Sequence, residues 1–198
     1  MAVNYDKLME SAIKEITESD KRPKLLLHAC CAPCLSGCID RLKAFDVTVY
    51  FYNPNMDTSF EYDNRAKEIE KLCKHFGLNY VIEDYSKDDF YIAVKGLEKE
   101  KEGGARCEKC FNLRLQKTQQ IAKEKGYDYF ATTLTISPLK NATKINEIGL
   151  SISKDQNVNY LVSDFKKQGG YLLSIEKSRQ LELYRQNYCG CIYSKVNN

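Results

Sequence analysis

The residues in this sequence best suited to chemistry are its cysteines, of which there are nine among 198 residues. A chain of this length buries enough core to fold without disulfides, so such a high cysteine count needs another reason. The cysteines also fall in close groups: the vicinal pair Cys30-Cys31, the CxxC pair Cys107 and Cys110, and Cys189-Gly190-Cys191. Because grouped thiolates bind soft metals or exchange electrons, this spacing predicts a metal or redox centre.

Four of these cysteines, Cys30, Cys31, Cys107 and Cys110, could act together as thiolate ligands. Four thiolates suit either a zinc site or an iron–sulfur cluster. The wide separation of the two pairs differs from the short ligand gaps of zinc fingers and ribbons, which favours the cluster. The CxxC pair opens a predicted helix, where free N–H groups favour thiolates. Arg114 lies one helical turn beyond Cys110 and could steady a thiolate-rich cluster or a phosphate.

The other cysteines leave alternatives open. Bent at its glycine, Cys189-Gly190-Cys191 could form a strained, easily reduced disulfide suited to two-electron transfer, or its thiols could be terminal metal ligands. Cys31 and Cys34 form a second CxxC pair, so a thiol oxidoreductase is one competing function and a zinc-stabilised RNA-binding module is another. Cys34, Cys38 and Cys73 are interpreted as additional, passive thiols.

Composition and charge narrow the class of protein. Lys and Arg number 30 and Asp and Glu 27, so the net charge of +3 does not by itself indicate a nucleic-acid binder. No apolar run is long enough for a membrane helix and the first residues lack the apolar centre of a signal peptide, so we expect a cytoplasmic protein with no membrane partner. Basic residues are concentrated in 95–117 and 166–195, and the second segment adds Tyr184 and Tyr188, which suits an RNA loop with splayed bases.

Short apolar strands alternate with amphipathic helices along the chain, which predicts an α/β fold with a parallel sheet. Strands are predicted over 24–29, 47–52, 79–83, 128–135 and 159–163. Helices are predicted over 5–19, 34–45, 61–76, 87–101, 107–126, 138–151 and 175–186. With no internal repeat or linker, the simplest organisation is an N-terminal helix in residues 1–22 followed by a single Rossmann-like catalytic domain in residues 23–198.

The predicted strands also locate the site. Ligands of open parallel sheets bind beyond the carboxyl ends of the strands. Cys30-Cys31 follows the first strand, Asn53-Pro54-Asn55 the second and 135–137 the fourth, so all three should lie along one edge. Neither GxGxxG nor a P-loop motif follows the first strand, which argues against dinucleotide or ATP binding.

Several stretches of this sequence together resemble the cobalamin-independent epoxyqueuosine reductases (QueH). A vicinal cysteine pair, CxxCxxLRL, TTLTxSPxK and YCGCxxS in this order are highly specific in combination. The matching stretches are LLLHACCAPC at 25–34, YNPN at 52–55, EYDNR at 61–65, CEKCFNLRL at 107–115, ATTLTISPLKN at 131–141 and QNYCGCIYS at 186–194.

This resemblance implies a HUP-type Rossmann-like fold, with helices on both faces of the sheet, and an iron–sulfur oxidoreductase. The enzyme would remove the epoxide oxygen of epoxyqueuosine in tRNA to complete queuosine, using a [4Fe-4S] cluster and an external electron donor; an additional mononuclear iron is left open. By position, Cys30, Cys31, Cys107 and Cys110 would be cluster ligands, and Cys189 and Cys191 the redox-active pair. The other motif residues, interpreted as substrate-binding, are Asn53, Asn55, Glu61, Tyr62, Arg65 and Arg114.

One loop departs from the family pattern. Between NPN and EY the family usually carries a proline-containing stretch, whereas this chain has MDTSF at 56–60. The shape of that loop and any ligand role of Asp57 are therefore not transferred, and no function is transferred to the opening helix.

Overall fold

Five parallel strands form the centre of the molecule in a computed structural model that describes residues 3–154 and 156–195. The strands are β1 (Lys24–His28), β2 (Asp46–Phe51), β3 (Asn79–Ile82), β4 (Tyr129–Thr132) and β5 (Asn159–Tyr160). Their spatial order is β3-β2-β1-β4-β5, with every neighbouring pair parallel. This is the order of a Rossmann-like sheet, so the predicted single α/β domain with a parallel sheet is confirmed.

Helices cover both faces of this sheet. They are α1 (Tyr5–Glu18), α2 (Ala32–Ser36), α3 (Ser59–Phe76), α4 (Asp88–Ala93), α5 (Ala105–Glu124), α6 (Ala142–Ser153) and α7 (Gly170–Gln180), with short 3-10 turns at Ile39–Leu42, Thr133–Ile136 and Ile192–Ser194. Among the described residues, none of these helices is both long and apolar enough to span a bilayer.

The central strand supplies side chains to two separate apolar cores. Leu25 and Leu27 pack with α1, α2 and α3 on one face, whereas Leu26 packs with α5 and α6 on the other. All three leucines are fully buried, and each contributes about 1.5–3 kcal/mol by leaving water. A near-continuous apolar run is typical of a strand covered on both faces, and it fixes the position of the residues that follow β1.

The opening helix belongs to the first of these cores. Met9 of α1 is fully buried there, and Asp6 forms a 2.8 Å ion pair with Arg41. The division into residues 1–22 and 23–198 stays a prediction. Residues 1, 2, 155 and 196–198 of those ranges lie outside the described residues.

The helix predicted over 34–45 is wrong in length. The chain forms α2 and then the 3-10 turn Ile39–Leu42, with Gly37 between them. A Cβ atom at Gly37 would lie 2.8 Å from the carbonyl oxygen of Gly170 and 2.5 Å from the Ile136 side chain. The close approach of α7 to this turn therefore requires glycine and interrupts the helix.

Other elements are shorter or shifted. The strand predicted over 128–135 ends at Thr132, where the Thr132 hydroxyl accepts the Leu134 N–H and starts a 3-10 turn. The helix predicted over 138–151 begins instead after Asn141, whose side chain caps the Lys144 N–H. Two helices also differ in extent: one covers Asp88–Ala93 where 87–101 was predicted, and the other covers Gly170–Gln180 where 175–186 was predicted.

The strand predicted over 159–163 is only two residues long because a side chain takes over its pairing. Buried Asn146 donates to the carbonyl oxygens of Ala142 and Ser163, both at 2.8 Å, and accepts the Ser163 N–H at 2.9 Å. Asn146 thereby joins α6 to the segment that follows β5.

We expect Asn146→Asp to lower the free energy of unfolding by about 2–4 kcal/mol, because a carboxylate cannot donate to the two carbonyl oxygens and is itself buried. Urea denaturation measures this loss. Asn79→Asp is the matched control, because Asn79 is exposed at the start of β3. An Asn146→Asp protein within 0.5 kcal/mol of the wild type, roughly the range of surface substitutions, would contradict the role assigned to Asn146.

Candidate active site

The cysteines that follow β1 lie where the order of strands reverses, between β1 and β4. The Cys30 N–H donates to the Thr133 hydroxyl at 3.2 Å, which joins the ends of the two strands. Cys31 is the N-cap of α2, and its sulfur accepts the Cys34 N–H at 3.3 Å. This edge is the usual ligand site of an open α/β sheet, as the sequence predicts.

Three sulfurs meet at this point. The Sγ atoms of Cys30 and Cys31 are 4.0 Å apart, and those of Cys31 and Cys34 are 2.6 Å apart. Among the described residues, these three cysteines are the one group of at least three potential metal ligands whose donor atoms all lie within 4.8 Å of one another. Cys34, predicted to be a passive thiol, therefore belongs to the same group of thiols.

The three thiols differ in acidity. Hydrogen bonds with the sulfurs of Cys31 and Cys34 lower the pKa of Cys30 well below its usual value, against the effect of burial. Burial raises the pKa of Cys31 to about 12, and the hydrogen bond with Cys30 adds to the rise. The first proton therefore leaves Cys30, whose thiolate the other two thiols stabilise.

The second cysteine pair lies in the first turns of α5, as predicted. The Cys107 sulfur accepts the Gly103 N–H at 3.2 Å and lines a small cavity together with Lys140 and Cys189. Cys110 is buried with Phe90, and burial raises its pKa to about 12. Neither sulfur lies in the group within 4.8 Å, so a ligand set of Cys30, Cys31, Cys107 and Cys110 stays a prediction.

A cavity of about 580 Å³ opens in front of the first cysteine group. The cysteines on its wall are Cys30, Cys31, Cys34 and Cys189. Four cationic side chains also line it, namely Arg65, Arg114, Lys140 and Arg185, against the single carboxylate of Glu102. This volume and charge suit an anionic or strongly polar ligand.

Arg114 is the most buried of these cations, with 1% of its surface exposed. Its Nη1 donates to the Asn53 side-chain oxygen at 3.2 Å and its Nε to the Cys110 carbonyl oxygen at 3.4 Å, whereas Nη2 is buried without a hydrogen-bond partner. A buried guanidinium nitrogen with a free donor on a cavity wall is available to a ligand.

Lys140 carries a second charge into the same space. Burial acts to lower the pKa of its ammonium, but electrostatic attraction to the nearby cysteines, Cys189, Cys30 and Cys34, outweighs burial and raises the pKa. Lys140 therefore remains a cation beside the thiols. Lys140 was not among the site residues predicted from the sequence, although it lies near the end of the motif at 131–141, which follows a strand.

The Cys189-Gly190-Cys191 segment completes the site. Cys189 is partly exposed and lines both cavities, whereas Cys191 is buried beside Cys110 and Phe90. All nine cysteines are free thiols. The structure therefore brings this segment to the same edge as the two cysteine pairs.

The six residues interpreted as substrate-binding occupy different positions. Only Arg65 and Arg114 line the large cavity. Asn53 links the Ala29 carbonyl to Arg114, and the Tyr62 hydroxyl donates to the Glu83 carbonyl at 2.6 Å. Asn55 donates to the Cys189 carbonyl oxygen at 3.4 Å, and Glu61 pairs with Arg65 at 2.6 Å. A substrate role for these six residues stays a prediction.

Sulfur is the donor that iron–sulfur clusters and zinc both accept, and here it lines two cavities that also have cationic side chains on their walls. A cluster takes each thiolate on a different iron, so its ligands can come from different segments of the chain.

Comparison with known proteins decides the family. The family model described as "Epoxyqueuosine reductase QueH" matches residues 25–197. The chain belongs to this family. QueH of Streptococcus pyogenes serotype M1 is 42% identical over 97% of this chain and 78% of its own length. QueH of Thermotoga maritima is 39% identical over 86% of this chain and 89% of its own length.

A likeness in fold extends beyond the QueH family. The U34-tRNA thiolase NcsA from Methanococcus maripaludis, solved with its [4Fe-4S] cluster, superposes with a TM-score of 0.54. The match covers 96% of this chain and 69% of the thiolase, at 15% identity. At that identity the likeness supports the Rossmann-like fold alone.

Proposed function

We propose that this protein reduces the epoxide of epoxyqueuosine in tRNA to the alkene of queuosine. The observation that carries the proposal is the group of cysteines at the strand-order reversal, which opens into a cationic cavity, in a chain of the QueH family. The reaction takes two electrons and two protons, and it converts the epoxide oxygen to water. The residues of the site must therefore supply or guide electrons and stabilise the departing oxygen.

Cys30, Cys31, Cys107 and Cys110 are proposed to hold a [4Fe-4S] cluster. Such a cluster would supply electrons one at a time. Support comes from the two cysteine pairs at this edge of the sheet and from the cations Arg114 and Lys140 on the cavity wall. Arg114 and Lys140 offset the negative charge that four thiolates would bring to a buried site. An additional mononuclear iron stays a prediction.

The cavity cations are proposed to stabilise the epoxide oxygen as negative charge develops on it. Lys140 lines both cavities, and the free Nη2 of Arg114 gives a second donor. Donors fixed in advance inside a partly desolvated cavity stabilise such charge more than water does. Because Arg114 is held by Asn53 and the Cys110 carbonyl, little reorganisation is needed when the substrate binds.

Cys189 and Cys191 are proposed as the redox pair that feeds the reaction. Oxidation of two thiols to a disulfide releases two electrons and two protons, which balances the requirement of the epoxide. An external electron donor then returns the disulfide to the dithiol. Cys189 lines the large cavity, which is proposed to hold the substrate, and also the small cavity that Cys107 lines.

The partner is proposed to be tRNA. Arg185 and Tyr171 lie on the cavity wall, and Tyr184 is 43% exposed nearby in the chain. Cationic and aromatic side chains around a cavity suit a base splayed out of an RNA loop. A cytoplasmic location fits both this substrate and a chain with nine cysteines, since the cytosol keeps thiols reduced.

The proposal is tested by purifying the protein without oxygen, assaying iron, sulfide and zinc, and measuring turnover. We expect brown protein with about four iron and four sulfide per chain. Given a chemical reductant, it should convert epoxyqueuosine to queuosine in tRNA, as followed by nucleoside mass spectrometry. Epoxyqueuosine nucleoside, supplied free in a parallel assay, should react more slowly because it lacks the phosphates that the cationic rim attracts.

The competing functions give different results in the same experiment. Colourless protein with one zinc and no turnover would favour a zinc-stabilised RNA-binding module. Metal-free protein that exchanges thiols through Cys31 and Cys34 would favour a thiol oxidoreductase. Equal rates on tRNA and on the free nucleoside would leave the reaction in place and overturn the assignment of tRNA as substrate.

A further inference from the structure

The segment that carries Cys189 and Cys191 is held through its backbone by residues that follow β2. Gly190 has a φ of +106°, and its carbonyl oxygen accepts the Asp57 N–H at 3.1 Å. The Cys189 carbonyl oxygen accepts from the Asn55 side chain and from Arg65 Nη1, each at 3.4 Å. These contacts reach the backbone of the segment and leave its thiols free to react.

Arg65 is central to these contacts. Its Nη2 donates to the Tyr188 carbonyl oxygen at 3.5 Å, and its guanidinium lies 5.3 Å from the centre of the Tyr188 ring. A Cβ atom at Gly190 would lie 3.3 Å from Arg65 Nη1, so the glycine allows this close approach. The side chain of Arg65 thus spans residues 188–190 immediately before Cys191.

Arg65 itself is fixed by its own helix. Glu61, one turn earlier on α3, accepts from Arg65 Nε at 2.6 Å, and the Tyr184 hydroxyl donates to the same carboxylate at 3.2 Å. The Arg65 side chain is only 2% exposed. Burial and an ion pair hold the guanidinium in one orientation, which a flexible surface arginine would not keep.

The hydrogen bonds of Arg65 distinguish it from Arg114. Each of the three guanidinium nitrogens of Arg65 has an acceptor within this chain, namely Glu61, Cys189 and Tyr188. Arg114, in contrast, has Nη2 without a partner. Of the two cavity arginines, Arg114 therefore has the donor that a substrate could use, and the donors of Arg65 are engaged by the cysteine segment.

We propose that Arg65 is a positioning residue for the Cys189-Gly190-Cys191 segment and not a substrate-binding residue. It holds the segment so that Cys189 lines the cavity and Cys191 stays buried. The inference rests on the proposed function only in that it takes this pair to be the redox pair of the reaction.

The test compares the full-length, metal-loaded protein with Arg65→Gln and Arg65→Lys. Lys71→Gln is the matched control, because Lys71 lies on the same helix and donates to two backbone carbonyls, those of Leu181 and Glu182, away from the cysteine pair. Reduced protein is treated with iodoacetamide without oxygen, and labelling of Cys189 and Cys191 is followed by peptide mass spectrometry. Steady-state kinetics on epoxyqueuosine tRNA give kcat and KM for each variant.

We expect Arg65→Gln to label Cys191 roughly tenfold faster, the factor expected when hydrogen bonds to a charged group are lost and the segment opens. Arg65→Lys should give a smaller increase, because an ammonium restores one carbonyl contact, and Lys71→Gln should label like the wild type. In Arg65→Gln, kcat should fall roughly 10- to 100-fold with KM within about twofold.

An unchanged rate of Cys191 labelling in both Arg65 variants would overturn the inference. A raised KM with unchanged kcat and unchanged labelling would also overturn it, because a residue that contacts the substrate gives that result. If Arg65→Gln does not fold, Arg65→Lys carries the test. Labelling needs no turnover, so a failure of the proposed reductase activity would be seen separately in the assay.

Discussion

Cys107→Ser is expected to lose iron–sulfur absorbance and epoxyqueuosine reductase activity together. A serine hydroxyl is a poor ligand for iron because it stays protonated near neutral pH and lacks the soft sulfur that clusters require. Cys107 lies in the first turns of α5 and its sulfur faces a cavity, so serine fits without disturbing a core. Iron and sulfide should fall from about four per chain to a small fraction of that, and turnover should fall by at least about 100-fold.

Two matched variants make this experiment decisive. Cys73→Ala removes a fully buried thiol of α3 that lies outside the site, and should keep both iron and activity. Cys34→Ser removes the third sulfur of the group within 4.8 Å, and should also keep the cluster if the ligands are Cys30, Cys31, Cys107 and Cys110. If Cys34→Ser loses iron and Cys107→Ser keeps it, the ligand set contains Cys34 and not Cys107.

The sheet could be predicted from the sequence because its strands are encoded locally. Leu25–Leu27 form an apolar run that is buried on both faces, and such a run has few other places in a fold. The parallel order brings the residues after β1 and β4 to one edge. The cysteines after β1 could therefore be placed at a ligand site from the sequence.

Element ends were predicted less well because distant contacts set them. Gly37 interrupts a helix because α7, more than 130 residues later, packs against it. The last strand stops at Tyr160 because Asn146 of α6 takes over the backbone groups of Ser163. Neither contact leaves a local periodic pattern that could be detected in the sequence.

For the site, the sequence likewise predicted the location better than it predicted the role of each residue. Cysteine spacing predicted which residues could carry the chemistry, but motif membership did not separate residues that line the cavity from residues that support it. Asn53 and Tyr62 lie in family motifs, yet both are buried and hydrogen-bonded to backbone or to Arg114. Positions in a motif therefore identify the site, whereas the partners of each side chain identify its role.

Cys189→Ser is expected to separate electron delivery from cluster binding. The variant should keep the iron content and visible absorbance of the wild type, because Cys189 is not among the proposed ligands. Multiple turnover should nevertheless fall by at least about 100-fold, since a serine cannot form the disulfide that releases two electrons and two protons. Absorbance, iron assay and nucleoside mass spectrometry on one preparation measure all three quantities.

Cys191→Ser should reproduce this result, because either thiol alone is insufficient for a disulfide, and the double variant should be no worse than either single one. Loss of the cluster in Cys189→Ser would instead indicate that Cys189 is a ligand. Its location on the walls of both cavities would permit that role. Full turnover in both single variants would remove the pair from the reaction and leave electron delivery to the external donor alone. The Arg65 variants test the same pair when they are combined with Cys189→Ser. If the pair is needed and Arg65 positions it, an Arg65 substitution should cause no further loss of kcat in a Cys189→Ser protein, because that protein has no redox pair to position.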